Sequence, residues 1–277
     1  MDFKARHEGM KWATSVGRHA LVSLLMTIQW RSPMPGMRYQ EMLPHELEAV
    51  LRATPVAYFP LGTLEYHGPH LAIGNDALKA EGLCERACTR TGGVLVPTLY
   101  WGIGGGHKEY PASLIVRDQL LSDLLDEVLS GLYRVGFRVI VLVTGHYPGE
   151  QVSAVKGAAE RFAQAHPDAR IWALPEYEAY PHERRADHAA KWETSILMAL
   201  RPELVDMSRL VGADAPHAPD ATHTLEEMNA PGPLHGILGE NPARYASPRL
   251  GEETVEVIVD HLVSWVNRAL AEIRTER

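Results

Sequence analysis

Four runs of consecutive apolar residues frame the chain, at positions 55–61, 93–100, 138–144 and 170–174. Each is rich in Val, Ile, Leu or aromatic residues and is bounded by Gly or Pro. Runs of this kind predict strands buried on both faces, the central strands of a parallel sheet. Between them the apolar positions take up the 3.6-residue period of helices, at 44–53, 77–89, 119–135 and 150–165, and again at 193–200 and 252–273. Strand and helix in alternation predict an α/β fold, a three-layer αβα sandwich with a mostly parallel central sheet. Residues 211–250 break the rhythm with many Pro, Gly, His and Asn, and are expected to form a long irregular excursion that covers a site.

The first 36 residues stand apart. An apolar run at 20–30 follows Lys4, Arg6, Lys11 and Arg18, but it is shorter than the roughly 20 residues that span a bilayer and no small-x-small cleavage site follows it. Residues 1–36 are therefore expected to be a poorly ordered N-terminal extension, and 37–277 a single domain in the cytoplasm. At 45% hydrophobic and 22% charged content, 277 residues can bury a large core. The net charge of -8 comes without a long run of either sign, which implies solubility and argues against a nucleic-acid surface. The two cysteines, Cys84 and Cys88, lie four apart on an expected helix and read as small buried hydrophobes, not as a disulfide framework.

Chemistry concentrates where expected strands end. Glu65, His67 and His70 follow the first run directly, and Asp76 opens the next helix. In an extended stretch Glu65 and His67 share one face, so that both can converge on a metal that Asp76 reaches from the far side of the loop. A carboxylate with two oxygens can also bridge two ions. The third run ends in Thr144-Gly145-His146, delivering an imidazole at the equivalent strand end, the edge at which open α/β sheets bind ligands.

These residues resemble the creatininase (creatinine amidohydrolase) family. The likeness runs through Gly62-Thr-Leu-Glu65-Tyr-His67-Gly-Pro-His70, Asn75-Asp76, Thr144-Gly-His146 and Asp187-His188-Ala-Ala-Lys-Trp-Glu193-Thr-Ser195, and spans roughly residues 37–209. The resemblance implies an αβα fold, two divalent metal ions (Zn, Mn or Fe), hydrolysis of non-peptide C–N bonds in small or cyclic amides, and a homo-oligomer, often a hexamer. By position it implies that Glu65 and His146 bind one metal, His67 the other, and that Asp76 bridges them. Pro148 stands where creatininase itself has a glutamate. In other branches of the family the last ligand comes from the Glu-Thr-Ser motif, so the resemblance implies Glu193, with Glu150 as the alternative, and creatinine is not expected to be the substrate.

A water shared by two such ions loses a proton near neutral pH, since coordination can lower its pKa from 15.7 to about 7. The leaving group then needs a proton donor, for which His107 and His188 are the candidates. His70 is left out of the ligand set. Tyr66, Trp101 and Trp192 are equally suited to lining a pocket and to packing, and His182 and Glu183 to ligation and to solvation. The Gly102–Gly106 cluster does not open a helix as a dinucleotide loop must, and neither a Gly-x-Ser-x-Gly elbow nor a His-Glu-x-x-His motif occurs. Two further readings stay open: hydrolysis of a C–C bond in a cyclic keto sugar (an inosose), and a non-enzymatic metal-binding scaffold.

Overall fold

The computed structural model describes residues 38–106, 109–181 and 186–275. The N-terminal extension expected at 1–36 lies outside them, as do His107, His182 and Glu183. Helix α1 (Pro44–Ala53) leads into strand β1 (Val56–Leu61), followed by α2 (Asn75–Thr91), β2 (Val94–Leu95), α3 (Asp118–Val135), β3 (Val139–Thr144), α4 (Gly149–Ala165), β4 (Arg170–Pro175) and α5 (Lys191–Leu200). The excursion that follows holds a small antiparallel pair, β5 (Ala221–Thr222) with β6 (Gly239–Glu240), and two short helices, α6 (Leu225–Asn229) and α7 (Pro242–Tyr245). The long helix α8 (Pro248–Thr275) closes the described fold.

The four main strands form one parallel sheet in the order β2-β1-β3-β4. Alternate residues of β1 and β3 face opposite layers. Val56, Tyr58, Val139, Val141 and Val143 pack with α2, α5 and α8, whereas Ala57, Phe59, Leu61, Ile140 and Leu142 pack with α1, α3 and α4. Both faces are covered, which is why these strands read as unbroken apolar runs. The cysteines are free and buried in the first layer, as small hydrophobes.

Two expectations are corrected. Only β1 and β3 are central, whereas β2 and β4 are edges. The second run shortens to Val94–Leu95, because Pro97 has no N–H to give the ladder. The chain still tracks β1 beyond it, with Val96 N donating to Tyr58 O at 2.8 Å and Leu99 N to Pro60 O at 3.1 Å.

Two glycines seat α2 at the carboxyl edge of the sheet. A Cβ on Gly62, just past β1, would fall on the backbone of Ala77, and one on Gly145, just past β3, on the carbonyl of Asp76. Only hydrogen at both positions lets the first turn of α2 wedge between the two strand ends. Among the described residues no helix is long and apolar enough to cross a membrane.

Candidate metal centre

That wedge brings Asp76 between the residues that follow β1 and β3. One carboxylate oxygen, Oδ1, lies 2.8 Å from Nε2 of His67, and the other, Oδ2, 3.0 Å from Nδ1 of His146. Oε2 of Glu65 is 3.1 Å from the same His146 nitrogen, and Oε2 of Glu193, from the first turn of α5, is 3.5 Å from Nε2 of His67. Two ligand sets result, Glu65/Asp76/His146 and His67/Asp76/Glu193, all buried, and Asp76 belongs to both. A third group joins Glu65 and His67 to His188.

The rings are held by carbonyls, which can only accept. Nδ1 of His67 therefore donates to Glu65 O at 3.0 Å, and Nε2 of His146 to Ile103 O at 3.1 Å. A neutral imidazole so held turns its lone pair toward the carboxylates, the orientation that a cation between them rewards. Nε2 of His67 and Oδ2 of Asp76 are buried and make no hydrogen bond, although each has a close neighbour of the other kind. Such atoms converge on points between them. Three carboxylates and two imidazoles, without a thiolate, suit Zn, Mn or Fe.

In the metal-free chain, protons would take the place of a cation. Burial works against a charged His67 ring, but Asp76, Glu193 and Glu65 together outweigh it and raise its pKa to about 10. Burial likewise opposes a charged His146, and Asp76 and Glu65 raise it to about 9. Asp76 moves the other way: its burial is overcome by the two histidines, which hold it well below the usual carboxylate range. His70, left out of the ligand set, is neutral; burial and the nearby His67 charge lower it to about 3, and its Nε2 meets Thr194 Oγ1 at 2.9 Å.

His188 lies with its ring tilted against that of His67, centroids 4.4 Å apart, and donates from Nε2 to Tyr66 O at 2.9 Å. Its backbone pairs with Leu238 in both directions, at 2.8 and 2.9 Å, so the excursion supplies a wall of the site. The resulting pocket, about 390 Å³, is lined by Glu65, Asp76, His146, His188 and Glu193, with Tyr147 and Leu238 among its walls. Glu150 lies exposed at the start of α4 and belongs to none of the ligand sets. Tyr66 stacks on Tyr110 at 5.2 Å, Trp101 is 45% exposed, and Trp192 lies under Lys191. None of these three aromatic residues lines the pocket.

Sequence reasoning passed over Lys79, Glu176 and Tyr147, which surround Glu193. Nζ of Lys79 donates to Glu176 Oε1 at 2.5 Å and to Glu193 Oε1 at 2.8 Å, and the Tyr147 hydroxyl reaches the same Glu193 oxygen at 2.8 Å. Burial above all, with the charges of Glu193 and Asp76, pushes Glu176 up to about 7, and Lys79 restrains the rise. The available signal was the three-residue step from Asp76 to Lys79 on one helix face.

A parallel sheet whose carboxyl edge gathers carboxylates and imidazoles around a pocket defines an α/β protein of the kind that carries metal-dependent hydrolases. The family model described as Creatininase, creatinine amidohydrolase, matches residues 40–266, and the chain belongs to that family. It is 28% identical over 228 residues to a creatinine amidohydrolase of Pseudomonas putida, covering 74% of this chain and 85% of the relative. A 3-dehydro-scyllo-inosose hydrolase of Thermotoga maritima is 26% identical over 258 residues, covering 82% and 81%. A mycofactocin precursor peptide peptidase of Mycobacterium ulcerans is 27% identical over 224 residues, covering 76% and 86%. Among solved structures, a creatininase in a manganese form superposes with a TM-score of 0.71 at 24% identity, over 84% of this chain and 98% of the other. A zinc–zinc form of a creatininase variant gives 0.68 at 25%, over 83% and 97%.

Proposed function

We propose that this hydrolase uses two divalent ions to cleave a C–N bond in a small, non-peptide amide. The observation that carries the proposal is the division of Asp76, with one carboxylate oxygen toward each histidine. Glu65 and His146 would hold one ion with Asp76, and His67 and Glu193 the other. Ions so placed would acidify a water from a pKa of 15.7 toward about 7 and polarise a carbonyl.

The chain's own groups supply the rest. His188 lies beside His67 and lines the pocket, with Nε2 on the Tyr66 carbonyl, and its imidazole would take a proton and return it to the leaving nitrogen. His107, next in sequence after Gly106, is the alternative donor. Gly105 approaches so closely that a Cβ there would stand 3.3 Å from Glu65 Oε1 and 3.6 Å from the His146 ring. Gly105 and Gly106 thereby line the pocket with backbone, which favours a small substrate in this reading.

The test is a screen of metal-reconstituted and chelator-treated protein against cyclic amides, formamides and inososes, with products identified by mass. Release of ammonia or an amine, only with metal present, is the expected outcome. A ring-opened acid from an inosose, with no nitrogen lost, would contradict it and establish C–C cleavage. Turnover of none would favour the scaffold reading.

A further inference from the structure

Lys79 is a fully buried cation for which the ligand sets have no use. It stands three residues beyond Asp76 on α2, so both side chains leave the helix on one face. Asp76 ends between the two histidines, whereas Lys79 ends behind Glu193. Its ammonium lies 2.8 Å from Glu193 Oε1, 2.5 Å from Glu176 Oε1 and 5.2 Å from the centre of the Tyr147 ring. The Tyr147 hydroxyl, which shares its one proton with Asp187 O at 2.9 Å, is a second donor to Glu193 Oε1 at 2.8 Å. Oε2 faces His67 and takes one backbone hydrogen bond, from Ala189 N at 2.6 Å.

Charge explains the second carboxylate. Lys79 alone would cancel Glu193 and leave Asp76 as the only anion for an ion beside His67. Paired with Glu176 it becomes a neutral unit, donating an N–H to Glu193 while leaving Glu193's negative charge to a cation. Buried ion pairs seldom stabilise a fold more than apolar residues of the same shape would, so stability alone does not account for this one.

Resting on the dinuclear reading above, we propose that Lys79, backed by Glu176, is a positioning residue. It grips Glu193 by Oε1, presents Oε2 alone to the ion at His67 and Asp76, and sets the affinity of that position separately from the one at Glu65 and His146.

The test is a calorimetric titration of chelator-treated full-length chain with Mn²⁺, comparing wild type with Lys79→Met/Glu176→Gln. The double substitution keeps shape and removes the pair as a neutral unit, whereas Lys79→Met alone would leave two carboxylates facing each other in the core. Wild type should take two ions. In the double variant one should bind as before and the other about ten- to a hundredfold more weakly, the usual worth of a group that orients a ligand. Tyr147→Phe, which spares the ion pair and removes the other donor, should weaken the same ion by a smaller factor, and covers the case in which the double variant does not fold. Equal weakening of both ions, the mark of a merely structural role, overturns the proposal, as does unchanged affinity for both. Fewer than two ions on wild type overturns the dinuclear reading and this inference together.

Discussion

On the dinuclear reading His67 and His146 exchange protons for metal, and that exchange has a pH signature. Their folded-state pKa values, raised to about 10 and about 9 from an ordinary 6.5, mean that the metal-free folded chain holds both protons more tightly than the unfolded chain. The stability they contribute is fully present below about pH 6.5 and is lost as pH rises through 9 and then 10. Melting curves of chelator-treated protein should show Tm falling across that window, and metal-loaded protein should lack the fall because no proton sits on either nitrogen. A flat profile for the metal-free protein would count against the cluster. At this scale the sequence disclosed the candidate ligands, since Glu65, His67, Asp76 and His146 stand where apolar runs end and the fold brings them together. It hid the groups that hold them. Lys79 on an amphipathic helix looks like any solvated lysine, and nothing local tells that Glu176 and Glu193 will close over it.

Helices and strands were legible in proportion to how far local pattern alone determined them. Helix α1 falls on the expected 44–53, and β1, β3 and β4 lie within a residue of expectation, because burial on both faces leaves an uninterrupted apolar run. The second strand was overextended across Pro97, a break that apolar content conceals. The helix starts came out late by one to four residues: α2 begins at Asn75 and α8 at Pro248, where polar first turns lie outside the apolar period. One contact between elements is invisible to any pattern. Gly251 on α8 lies so close to α5 that an added Cβ would meet the Ser195 carbonyl. Ser195 is two residues beyond Glu193, so the packing of these helices sets the depth of a candidate ligand. Gly251→Ala should destabilise the protein by about 1–3 kcal/mol, the usual cost of overpacking, and weaken metal retention. Gly149→Ala, whose methyl meets nothing within 4 Å, is the control for urea unfolding. Equal stability of the two variants would contradict the close approach.

At the scale of the molecule, one edge of one sheet gathers everything. β1 and β3 end side by side, α2 starts between them, and α5 and the excursion of 211–250 come in from the flank through Glu193 and the His188–Leu238 pairing. Composition and alternation were enough to foresee the layers, but the wedge of α2 depends on contacts between glycines and backbone far apart in sequence. Bound ions would act on the whole structure as ligands of the folded state, adding about 2.7 kcal/mol at a hundredfold excess over Kd. The central claim is that Asp76 serves two ions at once, and metal content measures it most directly. After reconstitution with Mn²⁺ or Zn²⁺ and dialysis, wild type should retain two ions per chain, and Asp76→Ala, folded by circular dichroism, should retain neither. Two ions kept by the Asp76→Ala chain would contradict the account.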